Sequence, residues 1–195
     1  MNAYDLLERM ASVPLQYGMW DKTENKVLTG EEMDKLDDKE GDDYINANCI
    51  VLKPEQVWRN KACTCWDASL LEYDELKRMG YSYLSANYYE VADKKNEVFA
   101  NHSFIIYQEK KSKGFYWFEY TWYRQCGLHG PYVKEEEVYN EVSRLAIGEP
   151  GDTISYWSRN YDIASLLKLD VITVPAFLDL VHPGWQSQMN YKYNK

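Results

Sequence analysis

Cys65, His102 and Glu119 are the residues whose types could work together on a substrate. Cys65 opens an amphipathic run that reaches Gly80, with Trp66 and Asp67 directly after it. A thiol on the first turn of a helix meets free N–H groups and the positive end of the helix dipole, and both favour an anionic sulfur. His102 and Glu119 come later, in aromatic-rich segments with strand character. A histidine can take a thiol proton and return it to a leaving group. A carboxylate can hold that imidazole in one tautomer and one orientation. Lys110–Gly114 reads as a hairpin turn, with His102 eight residues before it and Glu119 five after it. The two can therefore meet across the hairpin, given a suitable register. Each residue alone has an ordinary structural reading: a small buried thiol, a packing histidine, a surface charge. Only the combination points to chemistry.

Other candidates are weaker. The amides at the start of the Cys65 helix are possible oxyanion donors, and Gln56 or Trp58 upstream could add another. His129, in GLHGP, reads as an exposed turn, and His182, before Pro183, as a helix cap. Cys63-Thr64-Cys65 lacks the ligand spacing and the second cluster of a zinc site, so no metal and no cofactor is expected. Cys63 could pair with Cys65 or Cys126 only under oxidation.

The elements that must position these groups follow from pattern. Residues 2–11 carry helical spacing, and Pro14 ends them. Residues 21–43 read as polar, with Thr29 capping a short helix over Glu31–Leu36, and Asp37–Asp43 as a charged, exposed loop. Ile50–Leu52 leads to Pro54 at the first position of a short helix. Thr64 and Asp67 have the spacing of a capping box, and Gly80 a helix stop. Tyr81–Val91, Ser103–Tyr107 and Phe115–Trp122 read as strands, and Gly127–Val133 as a short edge strand. Glu135–Ile147 reads as a helix, Gly148–Asp152 as a tight loop, Ile163–Leu169 as a short helix or strand, Pro175–Val181 as a last helix, and the tail after Trp185 as fraying. The economical sum is one α+β domain over 1–195, with its core over about 45–182.

The formal net charge of -9 and pI near 4.9 argue against a broad nucleic-acid surface or an anionic membrane as partner. Lys94-Lys95 and Lys110-Lys111 with Lys113 are short basic clusters that suit solvated turns. Eighteen tyrosines, seven tryptophans and five phenylalanines suit a core whose rings hydrogen-bond at their tips beside a wet groove. MNAYDLLERM reads as an ordinary helix and not a leader, and no apolar run has transmembrane length. The expected compartment is the cytoplasm, with reduced thiols.

The segment KACTCWDASLLEYDEL resembles the nucleophile region of transglutaminase-like proteins of bacteria and their phages, which often read G-V-C-W-D-Q. NHSFIIYQEKKSKGFYWFEYTW resembles their later block, in which H-T-F-L-x-Y precedes W-F-E-x-x-W, and Arg124–Val142 is similar to the tail of that block. LQYGMW, LKPEQV and VITVPAFLDLV carry weaker similarity, so the likeness spans most of the chain. It implies a papain-like α+β fold with a nucleophile helix packed on a small antiparallel sheet. By position it implies Cys65 as nucleophile, His102 as base and Glu119 as orienting acid, with Trp66, Asp67 and Trp122 supporting the site. Cys63, Ala68 and Tyr120 depart from the pattern, which often has glycine, glutamine and histidine there. Two functions fit. One is a cysteine acyl-transfer enzyme acting on a protein or peptide by hydrolysis, deamidation or transglutamination, in the host cytoplasm if phage-encoded. The other is a catalytically silent papain-like module that binds a host or partner protein.

Overall fold

Asn2 starts the first helix, α1 (Ala3–Ser12), by accepting from the amides of Tyr4 and Asp5 while Asp5 returns a bond to its own amide. The computed structural model describes residues 2–36, 39–93, 98–147 and 153–183. After α1 come β1 (Gln16–Asp21), β2 (Lys26–Thr29), α2 (Gly30–Asp34), α3 (Lys39–Asn48), β3 (Cys49–Val51), α4 (Pro54–Asn60), β4 (Ala62–Cys63) and α5 (Cys65–Arg78). The second half holds β5 (Leu84–Asp93), β6 (Val98–Gln108), β7 (Phe115–Glu119), a 3-10 turn (Tyr123–Gln125), β8 (Gly127–Tyr132), α6 (Glu135–Ile147), β9 (Thr153–Arg159), α7 (Ile163–Leu166), β10 (Ile172–Thr173) and α8 (Val174–Val181). The fold is α+β. Among the described residues no helix is long and apolar enough to cross a membrane.

The strands form two sheets. The first runs β10-β3-β1-β2, antiparallel, with β4 joining β1 in parallel. The second is an antiparallel sheet in the order β8-β7-β6-β5-β9. Its central strands are apolar on both faces because both faces are covered. Ile105, Tyr107 and Phe118 join a core with Leu70, Leu71 and Leu76 of α5. Phe104, Ile106 and Trp117 pack instead with Val138, Tyr139 and Val142 of α6. The same α5 core takes in Leu6 and Met10 of α1, Val51 of β3 and Ile172 of β10. The helix that begins with Cys65 is thus buried against strands from both sheets. Each fully buried leucine on it contributes roughly 1.5–3 kcal/mol, so its placement is firmly held.

Both ends of α5 are closed as the sequence indicates. Thr64 accepts from the Asp67 amide, and Asp67 accepts from the Thr64 amide and hydroxyl. At the other end the amides of Gly80 and Tyr81 bond back to Lys77 and Leu76, with Gly80 at φ +80°, a conformation that glycine adopts at no steric cost.

Three expectations need correction. The charged loop over Asp37–Asp43 is helix from Lys39 onward, while Asp37 and Asp38 lie outside the described residues. Glu40 and Asp42 suit a helix first turn, Ile45 anchors α3 in a cluster with Met19, Leu28, Cys49 and Val174, and Gly41 is buried where a Cβ would overlap the Leu36 carbonyl. The polar stretch from residue 21 hides a strand, β2, paired with β1. Four residues are too few to show alternation, and β1 has the uneven burial of a strand with one half exposed. Third, His129 is not in an exposed turn: it lies on β8, its ring stacked 4.1 Å from that of Trp117. The expected loop at Gly148–Asp152 and the tail after Trp185 lie outside the described residues.

Candidate active site

The capping box does more than start α5. The buried Asp67 carboxylate also accepts from the Leu52 amide at 2.5 Å, tying the first turn of α5 to the end of β3. Burial pushes the Asp67 carboxyl up to about 7, against the pull of its bonds from the Thr64 and Leu52 amides and the Thr64 hydroxyl. Cys65 follows this cap at the first helical position, with its side chain almost wholly buried.

His102 lies within β6, which begins four residues before it, at Val98. Pairing of β6 with β7 aligns Ile105 with Phe118. One further step sets Glu119 across from Phe104, diagonal to His102 and within reach of long side chains. The two meet: His102 Nε2 lies 2.5 Å from Glu119 Oε2. Cys65 acts on the same imidazole and helps to raise its pKa. The three residues singled out in the sequence therefore gather in one place, with the Glu119 carboxylate bonded to the ring and Cys65 near it.

Glu119 is held from more than one side. Its Oε1 accepts from the Trp122 amide at 2.6 Å and from the Thr121 hydroxyl at 3.2 Å. Burial would raise its pKa, but His102 and these donors outweigh that and keep it below the usual glutamate value. For His102 burial opposes the charge. The Glu119 carboxylate, its hydrogen bond and the influence of Cys65 overcome it, and the ring sits well above the ordinary histidine value. Glu72, two turns along α5 from Cys65, is the reverse case. Burial, then the Glu119 charge, pushes its carboxyl well above the usual range. Of two buried carboxyl groups, the one beside the imidazole is shifted down and the other up, a separation set by environment.

A second, uncharged network sets the distance between helix and strand. Ser103, next to His102, donates to Ser69 of α5 at 2.9 Å and lies 2.8 Å from the Tyr161 hydroxyl, which is itself 3.1 Å from Ser69. Buried and mutually satisfied hydroxyls of this kind fix geometry.

A cleft of about 310 Å³ opens over His102, lined by Tyr17, Tyr89, Asn101, Thr121, Trp122, Tyr123 and Ala146. Trp122 meets His102 edge-on at 5.6 Å. Trp66 does not reach the cleft: it stacks on Phe177 of α8 at 4.8 Å. Gln56 accepts from the Lys53 amide and closes the start of α4, Trp58 lies under the Arg9 guanidinium with its buried ring N–H unbonded among the described residues, and neither lines the cleft. Where the family pattern has histidine, Tyr120 bonds to the Met10 carbonyl and ties the end of β7 to α1. All four cysteines are free. Sequence reasoning missed Tyr17, Tyr89, Asn101 and the hydroxyl network, since nothing local marks them. They gather only through strand pairing.

Compared with protein-family models, with curated proteins and with solved structures, the chain matches none of them.

Proposed function

We propose that this protein is a cysteine-dependent acyl-transfer enzyme, a transglutaminase-like member of the papain-like class, using Cys65, His102 and Glu119. The observation that carries the reading is that the imidazole bonded to the Glu119 carboxylate lies at the edge of an aromatic cleft and has Cys65 near enough to raise its pKa. Glu119 favours the charged ring, so the proton shared by sulfur and imidazole is favoured on the imidazole. The sulfur then attacks the acyl carbon of a protein or peptide amide. His102 gives its proton to the departing amine, and a thioester is left on Cys65. Water attacking the thioester completes hydrolysis or deamidation, and a second amine completes cross-linking. No step calls for a metal or a cofactor. The acidic chain suits protein partners over nucleic acid, and its free thiols suit a reducing compartment such as the cytoplasm.

The test is thiol reactivity. Iodoacetamide is expected to alkylate Cys65 near neutral pH much faster than the same cysteine in denatured protein, and His102→Ala is expected to remove that advantage. Labelling no faster than in denatured protein would leave a fold that binds without turnover.

A further inference from the structure

Acyl transfer at Cys65 creates a negative oxygen on the attacked carbon, and that oxygen needs hydrogen-bond donors already in place. One is at hand. The Cys65 amide stands at the first position of α5, where helix N–H groups have no partner within the helix. A second donor is needed, and neither Gln56 nor Trp58 is among the residues lining the cleft.

Tyr17 meets the requirement from an unexpected direction. It lies on β1, far from the cysteine in sequence, but β1 pairs in parallel with β4 and aligns Tyr17 with Cys63, two residues before the nucleophile. Its side chain lines the same cleft as His102 and is half exposed. Its hydroxyl bonds to no group among the described residues. We propose that the Tyr17 hydroxyl, together with the Cys65 amide, is the oxyanion donor of this site, an inference that rests on the acyl-transfer reading above. The charge state of the phenol agrees with a donor. The Cys65 sulfur, followed by burial, Asp67, Cys63 and Glu119, holds its pKa well above the ordinary tyrosine value. It keeps its proton and can donate without giving it up.

The step balances as follows for p-nitrophenyl acetate, an activated ester. The sulfur forms a bond to the carbonyl carbon and the π pair moves onto oxygen. Tyr17 and the Cys65 amide donate to that oxygen. The pair returns, the carbon–oxygen bond to the leaving group breaks, and p-nitrophenolate departs as the anion. An acetyl thioester remains on Cys65, and His102 keeps its proton. Iodoacetamide, in contrast, reacts at a saturated carbon and forms no oxyanion.

The two probes therefore separate the donor from the triad. In Tyr17→Phe the single-turnover release of p-nitrophenolate is expected to fall about 10²–10³-fold, with iodoacetamide alkylation of Cys65 unchanged. Tyr17→Gln, which restores an N–H donor without the ring, is expected to recover part of the lost acylation. Unchanged acylation in Tyr17→Phe overturns the inference. So does an equal fall in both reactions in variants that still unfold cooperatively, since that assigns Tyr17 to structure alone. Wild-type protein whose Cys65 alkylates no faster than in denatured chain sinks the triad reading and Tyr17 with it, an outcome distinct from reactive wild type beside an indifferent Tyr17→Phe.

Discussion

Among the described residues two histidine–glutamate pairs lie largely out of solvent, and their differences show what makes such a pair chemical. His102 meets Glu119 through Nε2 at 2.5 Å, lines the cleft and has its pKa raised in part by Cys65. His182 meets Glu90 through Nδ1 at 3.2 Å, with Tyr88 also donating to that carboxylate. His182 is the C-cap of α8, its amide bonded to Leu178, and it is not among the residues lining the cleft. The sequence expectation of a cap at His182 holds. Both pairs remove a charge or a dipole from water and satisfy it. Of the two, His102 is the one that lines the cleft. A histidine–carboxylate contact is thus a structural device until something reactive stands on the far side of the ring.

The largest effect expected from this contrast is on reactivity. His102→Ala should lower Cys65-dependent acyl turnover about 10²–10⁴-fold, the usual worth of a general acid–base, while His182→Ala leaves alkylation of Cys65 by iodoacetamide as it was. Parallel losses in the two variants would erase the distinction.

Stability sharpens it next. Glu119→Gln leaves a buried imidazole without its counter-charge, and breaking a buried pair costs about 3–5 kcal/mol. Denaturant unfolding across pH tests the sign. The native Glu119 pKa lies below its ordinary 4.5, so its contribution is present above that value and fades as pH falls through the native one. The native His102 pKa lies above its ordinary 6.5, so its contribution is full below that value and is lost as pH rises through the native one. The gap between wild type and Glu119→Gln should therefore be widest between 4.5 and 6.5 and close at both extremes. Glu90→Gln should leave Cys65 reactivity normal.

The smallest effect concerns the helix starts. Thr64 caps α5 and Thr173 caps α8. Replacing either by alanine should cost about 1 kcal/mol in unfolding experiments. Only Thr64→Ala should also slow alkylation, because only α5 begins with the nucleophile. Equal reactivity in the two variants would show that the cap matters for folding and not for the thiol.

Much of the frame was legible because its signals are local. Thr64, Asp67 and Gly80 mark α5 through capping chemistry that acts within a few residues. Lys110–Gly114 marks the β6–β7 hairpin, and the bounds of α6 agree with its apolar spacing. The first sheet was less legible. β4 and β10 are two residues each and β2 is four, too short to carry a period. β9 was also missed, and α3 looked like a loop because its charges outnumber its apolar anchors.

Residue types and local spacing alone determined that a thiol would open a capped helix and that an imidazole and a carboxylate would flank one hairpin. Backbone preference and capping are decided over a handful of neighbours. Tertiary structure decided the rest: the register that sets Glu119 diagonal to His102, the serine–tyrosine contacts that hold α5 against β6, and the parallel pairing that sets Tyr17 across from Cys63. Those contacts join segments far apart in the chain. They form only when burial of both sheets around α5 outweighs the entropy of closing long loops, and no local pattern encodes that outcome.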